Sequence, residues 1–127
     1  MKRFLSLALM SLMLFAILTP NAYASTMRWT NVANLYPAIV KNSNTYRCQV
    51  IGFSGTTNIQ CDLVLYEKPS NGDPIEVART SGSSRATQYT CKGEYNNFST
   101  AKTYIMEITV RVTRNGYTET VKETCQA

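Results

Sequence analysis

Between Thr103 and Cys125 the chain alternates apolar and polar residues on both sides of an Asn-Gly pair, a pattern that a β-hairpin satisfies and a helix does not. Tyr104, Met106, Ile108, Val110 and Val112 interleave with Glu107, Thr109, Arg111 and Thr113. Successive side chains of an extended strand point to opposite faces, so the first set makes an apolar row and the second a polar one. Asn115 and Gly116 both tolerate the positive φ of a two-residue type I′ turn. The chain returns through Tyr117, Glu119, Val121 and Glu123, alternating with Thr118, Thr120 and Lys122. The spacing predicts a long hairpin whose Tyr104 row faces the core together with Ile59, Leu63 and Leu65.

The N-terminal end has a different character. Lys2 and Arg3 precede an uncharged apolar run, Phe4 to Leu18, and Ala22-Tyr23-Ala24 follows as an A-x-A cleavage site. This is the pattern of a secretory signal peptide, 1–24, removed ahead of Ser25. The run is too short for the ~20 residues of a spanning helix, and no later stretch is apolar enough to cross a membrane. The signal holds two of the 13 basic residues and none of the eight acidic ones, which leaves a net charge of +3 on 25–127. So modest a charge, spread along the chain, points to solubility and not to nucleic acid. About a hundred residues suffice for one domain with a two-layer core.

The rest of the mature chain reads as short strands broken by turn residues. Residues 25–34 are an N-terminal arm or a first edge strand. Leu35 to Val40 carries Pro37, which lacks a ladder donor and suits an edge. Tyr46, Cys48 and Val50 alternate, and so do Ile59, Cys61, Leu63 and Leu65, with Gly52-Phe53-Ser54-Gly55 as the bend between them. Lys68 to Pro74 is a loop and Ile75 to Arg79 a short strand ending in Thr80-Ser81-Gly82-Ser83-Ser84. Thr87, Tyr89 and Cys91 suggest one strand more. The expectation is an all-β chain, an antiparallel sandwich of six or seven strands over 35–127.

Cys48, Cys61, Cys91 and Cys125 make an even number in a short exported chain, which implies two disulfides stapling the fold. No C-x-x-C pair and no histidine is present, so a zinc site is not expected. Cys48 and Cys61 lie at similar distances from Gly55, and Cys125 reflects through the Asn115-Gly116 turn to the start of the Tyr104 strand, near Cys91. The heights therefore suggest Cys48–Cys61 with Cys91–Cys125. Cys48–Cys125 with Cys61–Cys91 stays open.

Catalytic chemistry is hard to build from these residues. Histidine, the commonest general base, is absent. Glu107 and Glu119, on the two arms of the hairpin, are the nearest approach to a carboxylate pair, with no evident desolvating pocket. Neither a catalytic residue, a cofactor nor a metal ligand is expected. The residues that carry a binding signal are aromatic: Tyr66, Tyr89, Tyr95, Phe98 and Tyr117, at strand ends or loops, where rings stack on sugars or anchor protein interfaces.

Tyr104-Ile105-Met106, opening a strand that leads through Asn115-Gly116 into a last strand, resembles strands F and G of immunoglobulin-like and fibronectin-like sandwiches, with Tyr104 at the tyrosine-corner place. Met106 stands where an immunoglobulin strand-F cysteine would fall, and no tryptophan lies near Cys61, so that family's B–F disulfide does not carry over. The run from Cys48 to Lys68, followed by K-T-Y-I-M-E-I and R-N-G-Y-T-E-T, is similar to a group of small exported bacterial proteins of Gram-positive type without assigned function. The expected role is a secreted, non-enzymatic interaction module that meets a protein or glycan at the cell envelope or in the medium. The other class that fits size, export and charge is a secreted antibacterial, bacteriocin-like toxin.

Overall fold

In the structure, a computed structural model describing residues 29–127, seven strands follow one another with a single 3-10 turn, Lys41–Ser43, among them. They are β1 (Val32–Val40), β2 (Thr45–Gly52), β3 (Thr56–Lys68), β4 (Ile75–Ser84), β5 (Gln88–Glu94), β6 (Thr103–Arg114) and β7 (Tyr117–Gln126). All seven belong to one compact unit, Asn31–Ala127. The expected signal peptide, 1–24, and residues 25–28 of the arm lie outside the described residues.

The strands divide into a three-stranded sheet ordered β1-β2-β5 and a four-stranded sheet ordered β4-β3-β6-β7, with every neighbouring pair antiparallel. The period-two pattern decides which face of each sheet turns inward. Tyr46, Cys48 and Val50 of β2 and Cys91 of β5 are buried from one side. Ile59, Cys61, Leu63 and Leu65 of β3, the Tyr104-to-Val112 row of β6 and Val121 of β7 are buried from the other. The parity read from the sequence is the parity observed. Each large apolar side chain in these rows contributes about 1.5–3 kcal/mol by leaving water, which makes the β3–β6 seam the mechanical centre of the fold. Pro37 lies on β1, an end strand, where its missing donor costs no ladder bond in the sheet interior. On β7 the inward row reads Glu119, Val121, Glu123, Cys125, so carboxylates alternate with apolar groups at the margin of the core.

β4 is longer than its sequence suggests. Thr80–Ser84, which reads as a turn, continues the strand and pairs with Ile59 to Leu63. Gly82 explains the choice. It stands opposite Cys61, and a side chain there would collide with the hydroxyl of Tyr89. The glycine makes room for a ring instead of bending the chain, and the real turn is Arg85-Ala86-Thr87. Further along, Leu65 pairs with Ala78 but Tyr66 with Glu76, so Val77 is an extra residue in a bulge. A similar device acts in the other sheet, where Tyr46 stands opposite Gly93 and lays its ring over the glycine.

The hairpin tip is as expected. Arg114 pairs with Tyr117, and Asn115 and Gly116 have φ of 52° and 77°. Nothing lies within 4 Å of where a Cβ on Gly116 would stand, so a substitution there is opposed by the backbone alone. Gly116→Val is expected to cost roughly 1–2 kcal/mol, and Gly116→Asn distinctly less, because asparagine tolerates the left-handed region. Thermal melts of the two variants check this, and equal melting temperatures would show that backbone strain is not the cause.

At the opposite end, Tyr104 is fully buried and its hydroxyl accepts a hydrogen bond from the Ser99 amide at 2.9 Å. Phe98 packs edge-on against its ring at 4.8 Å and Tyr95 at 6.2 Å, and the Lys41 ammonium sits 5.5 Å from the ring centre. The chain end is held to the same residue, since Tyr104 and Ala127 exchange both backbone hydrogen bonds.

Candidate functional site

Three connections gather at the end of the sandwich that carries the Asn115-Gly116 tip. The β2–β3 loop, Phe53-Ser54-Gly55, is closed by Thr56, whose amide and hydroxyl both donate to the Phe53 carbonyl, at 3.1 and 2.6 Å. The β4–β5 turn is joined to it where the Gly52 amide donates to the Thr87 carbonyl at 2.8 Å. Arg114, at the end of β6, donates from Nε to the Ser54 carbonyl at 2.8 Å and lays its guanidinium 5.4 Å from the Phe53 ring centre. A hydrogen-bonded base thus supports a cation stacked on an aromatic ring.

The start of β1 locks this end from below. The backbone amides of Asn31 and Val32 donate to Glu119 Oε1 at 2.8 and 3.2 Å. Asn31 Nδ2 donates to the carbonyls of Val112 and Tyr117, both at 2.9 Å. Asn31 is buried, and its amide group satisfies two carbonyls of the hairpin where the ladder opens into the turn. The backbone of Tyr117 is therefore fixed while its side chain is 60% exposed; Phe53 is 42% exposed. Arg114 and Tyr117 continue the inward rows of β6 and β7 past their last buried members, so they stand at the mouth of the sandwich. Fixed backbone beneath exposed rings lowers the ordering cost of a contact.

Of the five aromatics singled out from sequence, the structure leaves only Tyr117 in this group. Tyr95 and Phe98 pack edge-on at 5.0 Å and close the corner around Tyr104, at the far end. Tyr89 is half-buried over Gly82 between the sheets. Tyr66 lies on the outer face of β3 and donates to Glu107 Oε2 at 3.3 Å. They do not converge. Phe53 belongs to the site and sequence reasoning misses it, although the bend that carries it is legible; an aromatic flanked by Gly52 and Gly55 in a tight bend has little core to enter.

Glu107 and Glu119 do not form a pair. Glu107 stands opposite Thr124 and Glu119 opposite Val112, so five residues of β6 separate their levels. They also face opposite sides of the sheet, Glu107 outward and Glu119 inward. Three of the other carboxylates serve ion pairs: Asp62 with Arg111 at 3.2 Å, Glu67 with Lys102 at 2.8 Å, and Glu76 with Arg79. These are partly exposed and each contributes little. No group of three metal-ligating side chains occurs among the described residues.

The four cysteines are unlinked thiols in the structure. Cys48 and Cys91 are register partners on β2 and β5, and Cys61 from the facing sheet approaches Cys91 to 4.0 Å. Hydrogen bonding to Cys48 and Cys91, with burial, pushes the Cys61 thiol up. The same contacts draw Cys48 and Cys91 down, because a thiolate there accepts from Cys61. Cys125 is pushed up by burial and then by the nearness of Cys48.

No protein-family model matches the chain, and no curated protein matches it. Among solved structures, it is similar to part of a β-glucuronidase from Parabacteroides merdae, at 15% identity and a TM-score of 0.29. The match covers 76% of this chain and 13% of that one. The chain thus spans a small fraction of that protein's length.

Proposed function

We propose that the mature chain, Ser25–Ala127, is an exported, non-enzymatic interaction module with an immunoglobulin-like sandwich, and that it grips its partner through the end built from Phe53, Arg114 and Tyr117. The carrying observation is that two exposed aromatic rings and a stacked guanidinium share one hydrogen-bonded base. Support for the immunoglobulin-like reading comes from the division into β1-β2-β5 and β4-β3-β6-β7, together with the Tyr104 hydroxyl bonded to the chain five residues upstream. Support for export is the Lys2 to Ala24 pattern and the four cysteines. The partner is a protein or glycan of the cell envelope or the medium, one that offers a surface for stacking and an acceptor for the Arg114 guanidinium.

The test is capture. Immobilised protein recovered from the culture medium is exposed to cell-wall glycan and envelope-protein fractions, beside the Phe53→Ala/Tyr117→Ala double variant. The expected result is a loss of at least about tenfold in retained partner, since centrally placed aromatic anchors carry ~2 kcal/mol or more. The variant's melting temperature should stay within a few degrees, because both rings are exposed. Equal retention by the two proteins would move the binding surface elsewhere.

A further inference from the structure

The end of the sandwich that carries Phe53, Arg114 and Tyr117 offers hydrogen-bond donors and ring faces, and its charge is one-sided. Resting on the reading of this end as the gripping surface, we infer that the partner is an acidic glycan. Its sugar rings lie on Phe53 and Tyr117, and an oxyanion attached to them, a carboxylate or a phosphodiester, takes the outer edge of the Arg114 guanidinium.

The charge comes first. The three connections at this end, Phe53-Ser54-Gly55, Arg85-Ala86-Thr87 and the turn from Arg114 to Tyr117, contain two arginines and no carboxylate. Arg85 is exposed. Glu119 lies just beneath, but it is turned inward and its Oε1 accepts from the Asn31 and Val32 amides. Asp62, Glu67, Asp73, Glu76, Glu94, Glu107 and Glu123 all stand on the bodies of strands or at the opposite end. An anion approaching the tip therefore meets positive charge with no carboxylate beside it to repel it. Arg114 is also held differently from its neighbours. Arg111 and Arg79 are spent on Asp62 and Glu76. The Nε of Arg114 is committed to the Ser54 carbonyl, whereas its two terminal nitrogens bond no group among the described residues. With Nε fixed, those nitrogens form a fork that fits two oxygens of one oxyanion.

Two features favour a sugar over a peptide as the carrier of that oxyanion. This end is made of turns, so an extended peptide finds no strand edge to lengthen. The carbonyls of Phe53, Ser54, Thr87, Val112 and Tyr117 already accept hydrogen bonds from within the fold, which leaves few acceptors for a peptide's amides. The second feature is the setting of the rings. Phe53 and Tyr117 are large exposed side chains standing on turns, and they serve as platforms more than as walls of a cleft. The C–H face of a sugar ring settles on the negative face of an aromatic ring, and its attached anion then reaches the guanidinium stacked beside it.

Calorimetric titration of the protein recovered from the culture medium tests this with four probes: a galacturonate oligosaccharide, its methyl ester, a glucose oligomer joined by phosphodiesters, and an oligoglutamate of matching charge. The first and third distinguish a carboxylate from a phosphodiester as the oxyanion. At least one of them is expected to bind, more weakly as salt is raised. The neutral methyl ester and the oligoglutamate should bind at least about tenfold more weakly than the better acidic sugar, and Arg114→Gln should lose at least about tenfold for that sugar. Because Arg114→Gln also releases the Ser54 carbonyl, its melting temperature is measured alongside. Arg85→Gln, at an exposed position, gives a reading free of that complication: a smaller loss that disappears in high salt. Binding of neither acidic sugar, equal affinity for the galacturonate and its ester, or equal affinity for oligoglutamate overturns the inference. If envelope material is then still retained in a manner that depends on Phe53 and Tyr117, the gripping surface stands and the class of partner is wrong. If that dependence is absent as well, the reading of the surface falls with it.

Discussion

Replacing Tyr104 by alanine lowers the stability of the domain by about 3–5 kcal/mol, the range for deleting a buried aromatic ring. Three separate contacts end on that ring: edge-on packing with Phe98 and Tyr95, the Lys41 ammonium, and the bond from the Ser99 amide. At roughly 4–8 °C per kcal/mol for a domain of this size, the melting temperature falls by well over ten degrees. Tyr104→Phe separates the terms. It keeps the ring and strands the Ser99 amide, at a cost of about 1–3 kcal/mol. Thermal unfolding followed by circular dichroism measures both variants. Equal losses would assign the whole effect to the hydrogen bond and none to the packing.

A second large effect is expected from adding atoms. A Cβ built on Gly93 would run into Cζ and Oη of Tyr46, a ring that is buried itself and has nowhere to retreat. Gly93→Val should therefore cost about 3 kcal/mol, at the upper part of the usual range for overpacking. The partner identifies the cause. In a Tyr46→Ala background the ring is gone, and the same valine should be tolerated with a smaller further loss. A double-mutant cycle on urea midpoints reports this as a coupling of about 1 kcal/mol or more. Additive losses would mean that the glycine is required by its backbone and not by the ring.

Where sequence neighbours pair with each other, the fold is legible in the sequence. Residues 103–125 fix their own register through a two-residue turn, so the inward row from Tyr104 to Val112 follows from parity alone. Pro37 marks an end strand for the same local reason. Most of the failures are non-local. Thr80–Ser84 reads as a turn because serine and glycine favour turns, but Tyr89, on a strand of the other sheet, needs the space that Gly82 leaves. Glu107 and Glu119 share one hairpin, but one stands eight residues before Asn115 and the other three after Gly116, so the hairpin's own register separates them. The aromatic site is half legible. Tyr117 stands out because it follows the turn, whereas Tyr95 and Phe98 sit in a loop and are nevertheless spent on packing around Tyr104.

The alternation of Glu119 and Glu123 with Val121 and Cys125 on β7 bears on how copies of the protein meet one another. An end strand of ten residues is a template on which a second molecule can lay a strand of its own and begin a fibre. A strand arriving beside β7 would press its inward side chains against two carboxylates at the core margin, burying apolar groups against charge. That penalty grows with every copy added, since each repeats the same carboxylate pair on its own margin. The inward glutamates therefore act as a guard against self-templating.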